Sequence, residues 1–179
     1  MKFLKDGKMF SVPNAPVNST EEFLQRLEDE FKIRECMGHY FYYCDMLDPV
    51  GMASCFTDAG RLCWAPGWDV FYGKEAILAH LKEIVGGSAA QAHLGANEQV
   101  YFRSKDDAML YCYVYCWRRF LDDTPDYFCY GRYEVNLLRE SDGEWRFESL
   151  QFAEAGEIGG DRLGEYFNRP WPPQPIPNK

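Results

Sequence analysis

The stretch that decides the fold is residues 39–49, which read HYFYYCDMLDP. Apolar residues recur every three or four positions up to and through it, which indicates the last turns of a long amphipathic helix. Asp45 lies among these aromatic residues, and an ionised carboxylate is costly to bury unless a partner compensates it. Asp48 and Pro49 then suit the cap and the first residue of a second helix. We therefore predict that Asp45 meets a partner from elsewhere in the chain.

The predicted partner is His93, which lies in residues 91–97, QAHLGAN, just after a Gly/Ser/Ala-rich loop. Histidine is the natural proton carrier near neutral pH, and a carboxylate on one ring nitrogen fixes the tautomer and increases the basicity of the other. The alternatives are a core histidine bonded to a backbone carbonyl and a solvated carboxylate at a helix end. We predict that Asp45 and His93 form a proton-transferring dyad inside a largely apolar pocket.

Length, charge and cysteine content exclude several classes of protein. The chain has 179 residues and a net charge of −9, which fits one domain and disfavours nucleic acids and anionic membranes as partners. No apolar run is long enough for a membrane span, and the N-terminal residues lack a signal-peptide core, so we expect a cytoplasmic protein. The seven cysteines form no C-x-x-C pair and no zinc spacing. We expect reduced core thiols and no metal or cofactor.

Periodicity and turn chemistry predict three helices followed by a sheet. Residues 19–22, STEE, have the capping-box spacing and open the first helix, with a slip in the apolar phase near residue 32 that predicts a break or bend. A third helix starts after Gly73 and ends at Gly86. Two short strands at 61–65 and 69–72 flank a Pro-Gly turn. Four long strands rich in aromatic and branched residues are expected at 92–103, 107–121, 126–140 and 144–154.

These elements define an α+β fold class. Long strands joined by short turns form an antiparallel sheet, with a mixed edge, that must curl strongly. Three helices would close this curled sheet into a cone whose interior holds a ligand. We predict an N-terminal arm at 1–18, the cone domain at 19–155 and a Pro-rich tail at 156–179.

Six short segments together resemble one family. They are Tyr40 to Asp48, Cys55-Phe56-Thr57-Asp58, Gly73-Lys74-Glu75-Ala76-Ile77, His93-x-x-x-Asn97, Gly131-x-Tyr133 and Asp142-Gly143-Glu144-Trp145-Arg146-Phe147. In this order, over about residues 20–155, they resemble the SnoaL-like branch of the nuclear transport factor 2-like superfamily. Within it the chain is most similar to the lyases scytalone dehydratase, hexachlorocyclohexane dehydrochlorinase and bile acid 7α-dehydratase.

The resemblance implies catalytic roles for three residues. An Asp on the first helix and a His opening the third strand map to Asp45 and His93, and a Tyr five residues before the Asp maps to Tyr40. Helix geometry instead favours Tyr42, which lies nearer the Asp45 side of an ideal helix. Further candidates for substrate binding are Tyr42, Asn97, Trp117, Arg132 and Glu134. Arg132 and Glu134 either reach the interior or form an ion pair on the outer face.

The resemblance implies a cofactor-independent dehydratase that eliminates water from a bulky, mostly apolar hydroxylated substrate, such as a steroid, bile acid or polyketide. One alternative is an isomerase or cyclase of the ketosteroid isomerase or polyketide cyclase type. Another is a small-molecule-binding module without catalysis. An apolar sheet face would favour a homotrimer or homodimer.

Overall fold

The computed structural model describes residues 14–63 and 70–159, which form an α+β fold. Its helices are α1 (Thr20–Asp45), α2 (Pro49–Ser54) and α3 (Lys74–Gly86). Its strands are β1 (Phe56–Cys63), β2 (Phe71–Tyr72), β3 (Ser88–Phe102), β4 (Asp107–Phe120), β5 (Tyr127–Arg139) and β6 (Trp145–Ile158). The four long strands match the predicted ones to within a few residues at each end.

Several predictions fall on residues outside this description. They are the N-terminal arm up to residue 13, the Pro66-Gly67 turn and the Pro-rich tail from residue 160. The last strand, β6, continues three residues beyond the predicted domain boundary at residue 155. The division of the chain into arm, domain and tail stays a prediction.

The long helix α1 differs from its prediction in two respects. It is continuous over 26 residues, so a break near residue 32 is wrong, and the alternative of a bend there stays a prediction. The apolar stripe of its first turns also faces solvent and not the core, because Phe23, Leu27 and Phe31 are each about half exposed or more. The buried face instead begins at Asp29 and continues through Ile33, Met37, Tyr40, Phe41 and Cys44. The phase slip in the sequence therefore marks a change from an exposed apolar stripe to a buried one, with no interruption of the helix.

The start of α1 follows the predicted cap in part. The Ser19 hydroxyl accepts a hydrogen bond from the backbone N–H of Glu22 at 3.1 Å, as a capping box requires. The carboxylate of Glu22 returns to the backbone N–H of Asn18 at 2.7 Å, one residue before the expected position. Both bonds satisfy backbone donors that a helix start leaves without partners inside the helix.

The six strands form one mixed sheet in the order β2-β1-β6-β5-β4-β3. All neighbouring pairs are antiparallel except β1 and β6, which run parallel. The order leaves β2 and β3 as the two edges, so the sheet is open across the described residues. It is not closed on itself, and the strong curl expected from the long strands stays a prediction.

The core lies between α1 and the sheet face that α1 covers. Tyr40 is fully buried there and packs edge-to-face on Phe56, Tyr133 and Phe147, with ring centroids 5.5–6.2 Å apart. Such pairs add roughly 0.5–1.5 kcal/mol each beyond the burial of their area. This aromatic cluster fixes the last two turns of α1 over β5 and β6.

A buried ion pair holds the first half of α1 against the hairpin of β5 and β6. Asp29 is 3% exposed, and its carboxylate accepts hydrogen bonds from the guanidinium of Arg139 and from the indole N–H of Trp145, the latter at 3.1 Å. The Arg139 guanidinium also lies over the Trp145 ring, 5.2 Å from its centroid. The three side chains therefore link the helix to the sheet through one set of mutual contacts.

Candidate functional site

The end of α1 places a carboxylate at the rim of the core. Asp45 is the last residue of the helix, and Leu47 follows with a positive φ of 54° that turns the chain sharply. That conformation costs a non-glycine residue roughly 1–2 kcal/mol. Asp48 offsets part of this cost, because its Oδ1 accepts hydrogen bonds from the backbone N–H groups of Val50 and Gly51, each at 3.0 Å. The turn therefore stops α1 directly after Asp45.

Asp45 and His93 are in direct contact across 48 residues of chain. Asp45 Oδ1 lies 2.7 Å from His93 Nδ1, and Asp45 Oδ2 accepts a hydrogen bond from the backbone N–H of His93 at 3.2 Å. The Asp45 carboxylate therefore holds both the backbone and the imidazole ring of His93. The His93 side chain is only 5% exposed, whereas that of Asp45 is 35% exposed. The acid faces solvent and the imidazole faces the interior.

This contact defines which imidazole nitrogen is free to react. A carboxylate only accepts hydrogen bonds, so in the neutral ring the proton lies on Nδ1 and the lone pair on Nε2. The aromatic ring of Phe41 stacks on the imidazole, with 5.8 Å between centroids and 20° between planes. The imidazole is therefore held in one orientation, with Nε2 available as a base.

Phe41 reaches His93 because β3 carries a glycine beneath its ring. Phe41 and Asp45 are four residues apart on α1, so they lie on the same side of the helix and both face β3. A Cβ atom added at Gly95 would lie 2.5 Å from the Cε2 atom of Phe41. The bare backbone at Gly95 thus allows α1 to approach the strand that holds His93.

We expect Gly95→Ala to lower the free energy of unfolding by about 1–3 kcal/mol, because the added methyl overpacks against Phe41. Urea denaturation monitored by circular dichroism measures this change. The matched control is Gly38→Ala on α1, where an added Cβ meets nothing within 4 Å. That variant should be as stable as the parent or slightly more so, since alanine favours a helix. Equal stability of both variants would contradict the close approach.

Tyr40 and Tyr42, the two candidates for the third catalytic residue, lie in different environments. Tyr40 is fully buried in the aromatic core, and burial raises the pKa of its phenol well above the ordinary value. Its hydroxyl lies beside the Cys44 thiol but makes no conventional hydrogen bond within the described residues. Tyr42 is 59% exposed on the outside of α1. Only Tyr40 therefore shares the interior with His93.

Three predicted substrate-binding residues lie on the sheet face that points away from α1. Tyr133 contacts Phe41 of α1, and side chains alternate along a strand, so its neighbours Arg132 and Glu134 point to the other face. Arg132 Nε lies 3.6 Å from Glu134 Oε1. Trp117 is on that face as well, and its indole N–H donates to Asp126 at 2.9 Å. The structure separates these three residues from the dyad.

Asn97 lies at an irregular point of β3. The pairing of β3 with β4 shifts between Ala96 and Gln99, and Asn97 has a positive φ of 54° there. Asparagine tolerates this conformation better than most residues. Asn97 is exposed, and a part in substrate binding stays a prediction.

One acidic residue on the inner face, Glu154 of β6, was not predicted from the sequence. Burial, the Cys129 thiol and the Glu157 carboxyl raise the pKa of Glu154 to about 9. The available signal was the alternation of Leu150, Phe152 and Glu154, which puts all three side chains on one face of the strand.

The described residues contain no group of three or more His, Cys, Asp or Glu side chains placed to hold a metal ion. No disulfide forms among the seven cysteines, of which five are buried. Within the same ranges, no helix is both long enough and apolar enough to cross a membrane.

The sequence matches the family model of the SnoaL-like domain over residues 25–151. The chain therefore belongs to the SnoaL-like family. No curated protein sequence matches it significantly.

Solved structures with the same fold have assorted activities. A protein of Novosphingobium aromaticivorans assigned as a scytalone dehydratase is 24% identical, with a TM-score of 0.70 over 75% of this chain and 89% of that one. A hexachlorocyclohexane dehydrochlorinase from Novosphingobium barchaimii is 20% identical, with a TM-score of 0.68 over 78% and 94%. A further N. aromaticivorans protein, assigned as an aromatic ring hydroxylase, is 20% identical, with a TM-score of 0.71 over 77% and 96%. At these identities the likeness establishes the fold alone.

Proposed function

We propose that this protein is a cofactor-independent dehydratase that eliminates water from a bulky, mostly apolar β-hydroxy carbonyl compound. The observation that carries the proposal is the 2.7 Å contact between the Asp45 carboxylate and Nδ1 of a nearly buried His93. An imidazole oriented in this way can act as a general base. Two structural neighbours assigned as lyases, the dehydratase and the dehydrochlorinase, support the same reaction class.

The proposed chemistry begins at the carbon next to the substrate carbonyl. His93 Nε2 removes the proton there, and the Asp45 carboxylate stabilises the imidazolium that forms. The buried Tyr40 hydroxyl has no hydrogen-bond partner among the described residues, so it is free to donate to a substrate. In this proposal it binds the carbonyl oxygen as negative charge develops on it. Apolar side chains around His93, such as the stacked Phe41 ring, keep water away and so strengthen these interactions.

A para-nitrophenyl β-hydroxy ketone tests the reaction, because loss of water converts it to a coloured conjugated enone. We expect enzyme-dependent formation of the enone, with the mass of the substrate less one water by mass spectrometry. Isomerisation would give a product of unchanged mass, and a binding module would retain the ketone without converting it. Either of these results would contradict the dehydratase.

Self-association as a homotrimer or homodimer remains part of the proposal. The sheet face away from α1 has a groove of about 390 Å³ lined by apolar and aromatic side chains. Leu94, Tyr113 and Tyr130 on this face are each 40% exposed or more. Exposed apolar patches of this kind mark surfaces that another protein covers.

A further inference from the structure

A carboxyl group on β6 faces the same interior as the dyad. Phe152 packs on Tyr133 with ring centroids 5.3 Å apart, and Tyr133 in turn packs on Phe41 of α1. Glu154 lies two residues after Phe152 and pairs with Gly131, in step with the Phe152–Tyr133 pair and just before the register shift that skips Ala155. Alternate side chains of a strand share a face, so Glu154 points to the side that α1 covers, the side of His93.

The Glu154 carboxyl is buried without a hydrogen-bond partner. Neither of its oxygens is exposed or bonded within the described residues. Its titratable neighbours are the Cys129 thiol, the Glu157 carboxyl and the Tyr127 phenol. Arg118 of β4 donates to a backbone carbonyl of α3 at 2.5 Å, and no cation is among the groups that shift the pKa of Glu154. Because burial and these neighbours disfavour the charged form, the carboxyl is neutral at pH 7 and retains a proton.

A buried acid that has no partner among residues 14–63 and 70–159 points to a ligand. Native proteins satisfy nearly all their buried polar groups, and the exceptions call for a functional explanation. His93 stands on β3 and Glu154 on β6, with β4 and β5 between them. At about 4.8 Å per strand the two backbones are roughly 14 Å apart, so the two side chains approach the interior from opposite walls.

We propose that Glu154 is the general acid that protonates the leaving hydroxyl while His93 removes the proton from the adjacent carbon. The C–H electrons form the carbon–carbon double bond as the C–O bond breaks, and the departing oxygen takes the Glu154 proton to leave as water. The elimination leaves His93 as an imidazolium and Glu154 as a carboxylate. Transfer of a proton from His93 to Glu154 through water restores the starting state of both. This role rests on the proposed dehydratase function.

Two substrates with the same carbon skeleton test the role of Glu154. The para-nitrophenyl β-hydroxy ketone must protonate its leaving group, whereas the corresponding β-chloro ketone loses chloride without an acid. Both give the same enone, so initial rates compare directly. Glu154→Gln should lower the rate of water elimination by about 100-fold and that of chloride elimination by less than about threefold.

The matched control is Glu148→Gln, on the same strand, where the carboxylate is 40% exposed and 3.8 Å from Arg61. It should change neither rate. If Glu154→Gln slows both eliminations equally, or neither, the general-acid role is wrong while the dehydratase stands. If the parent protein eliminates neither leaving group, the dehydratase hypothesis falls for this substrate class, and the role of Glu154 falls with it.

A readout without substrate tests the neutral state of Glu154. Its pKa in the folded protein, about 9, exceeds the ordinary value of 4.5, so the folded state binds the extra proton between these values. Stability must then fall as pH rises, and Glu154→Gln removes that dependence. Relative to the variant, the unfolding equilibrium constant of the parent should rise by up to about tenfold per pH unit between about pH 5 and pH 8. An unchanged ratio would overturn the proposal.

Discussion

Asp45→Asn and His93→Gln should each reduce turnover of the para-nitrophenyl β-hydroxy ketone by about 10²–10⁴-fold, the usual contribution of a positioned acid or base. Asparagine keeps the shape of the acid but loses the charge that stabilises the imidazolium. Glutamine keeps a hydrogen-bonding group at position 93 but has no basic nitrogen. Initial rates of enone formation measure both losses.

A variant that combines Asp45→Asn and His93→Gln tests whether the two residues act together. Two residues that act as one unit lose activity together, so the double variant should be about as slow as the slower single variant. The matched control is His39→Gln, an exposed histidine on the same helix, which should retain full activity. Normal turnover in both single variants, or losses that multiply in the double variant, would contradict the dyad.

Asp29→Asn should lower the free energy of unfolding by about 3 kcal/mol. The change keeps the size of the side chain but removes the buried anion of the Arg139 guanidinium, which keeps only the half-exposed Asp106 carboxylate at 3.4 Å. Breaking one side of a buried ion pair costs roughly 3–5 kcal/mol. Arg139 is 20% exposed, so the expected loss lies at the lower end of that range. Urea denaturation at constant pH gives the value from the shift in midpoint.

The control for this variant is the neighbouring acid Glu28. Its carboxylate is 58% exposed and lies 3.3 Å from Lys32, so Glu28→Gln should change stability by less than about 0.5 kcal/mol. Adding Arg139→Met to Asp29→Asn should recover part of the loss, because it removes the stranded charge. Equal stability of the Asp29 and Glu28 variants would show that the pair contributes nothing to the fold.

The elements of the fold could be predicted because local rules determine them. The cap at Ser19, the turn at Asp48 and the alternation in the long strands each depend on neighbours within a few residues. The exposed stripe of Phe23, Leu27 and Phe31 shows where these rules fail. The spacing of apolar residues defines one face of a helix, but it does not show whether the rest of the protein covers that face. In α1 the buried face begins at Asp29 and lies away from the stripe of Phe23, Leu27 and Phe31.

The candidate site could be predicted only where residue chemistry was enough. Asp45 needed a partner and His93 was a suitable one, so the two could be matched across the chain. The outward direction of Arg132 and Glu134 depends on strand register, and the register shifts in β3 and β6 are set by tertiary pairing. Glu154 was not predicted for the same reason, since its alternation with Leu150 and Phe152 defines one face of β6 but not whether the helix covers that face.

The parallel pairing of β1 with β6 governs when the domain can be completed during synthesis. Leu62 of β1 lies beside Leu150 of β6, about 90 residues later in the chain. Contacts between such distant segments form slowly, because a long loop must be closed before they contribute. As the ribosome releases the chain, the three helices and the first strand emerge before the strand that completes their sheet. Until then the nascent domain exposes its core residues, and chaperones can bind them.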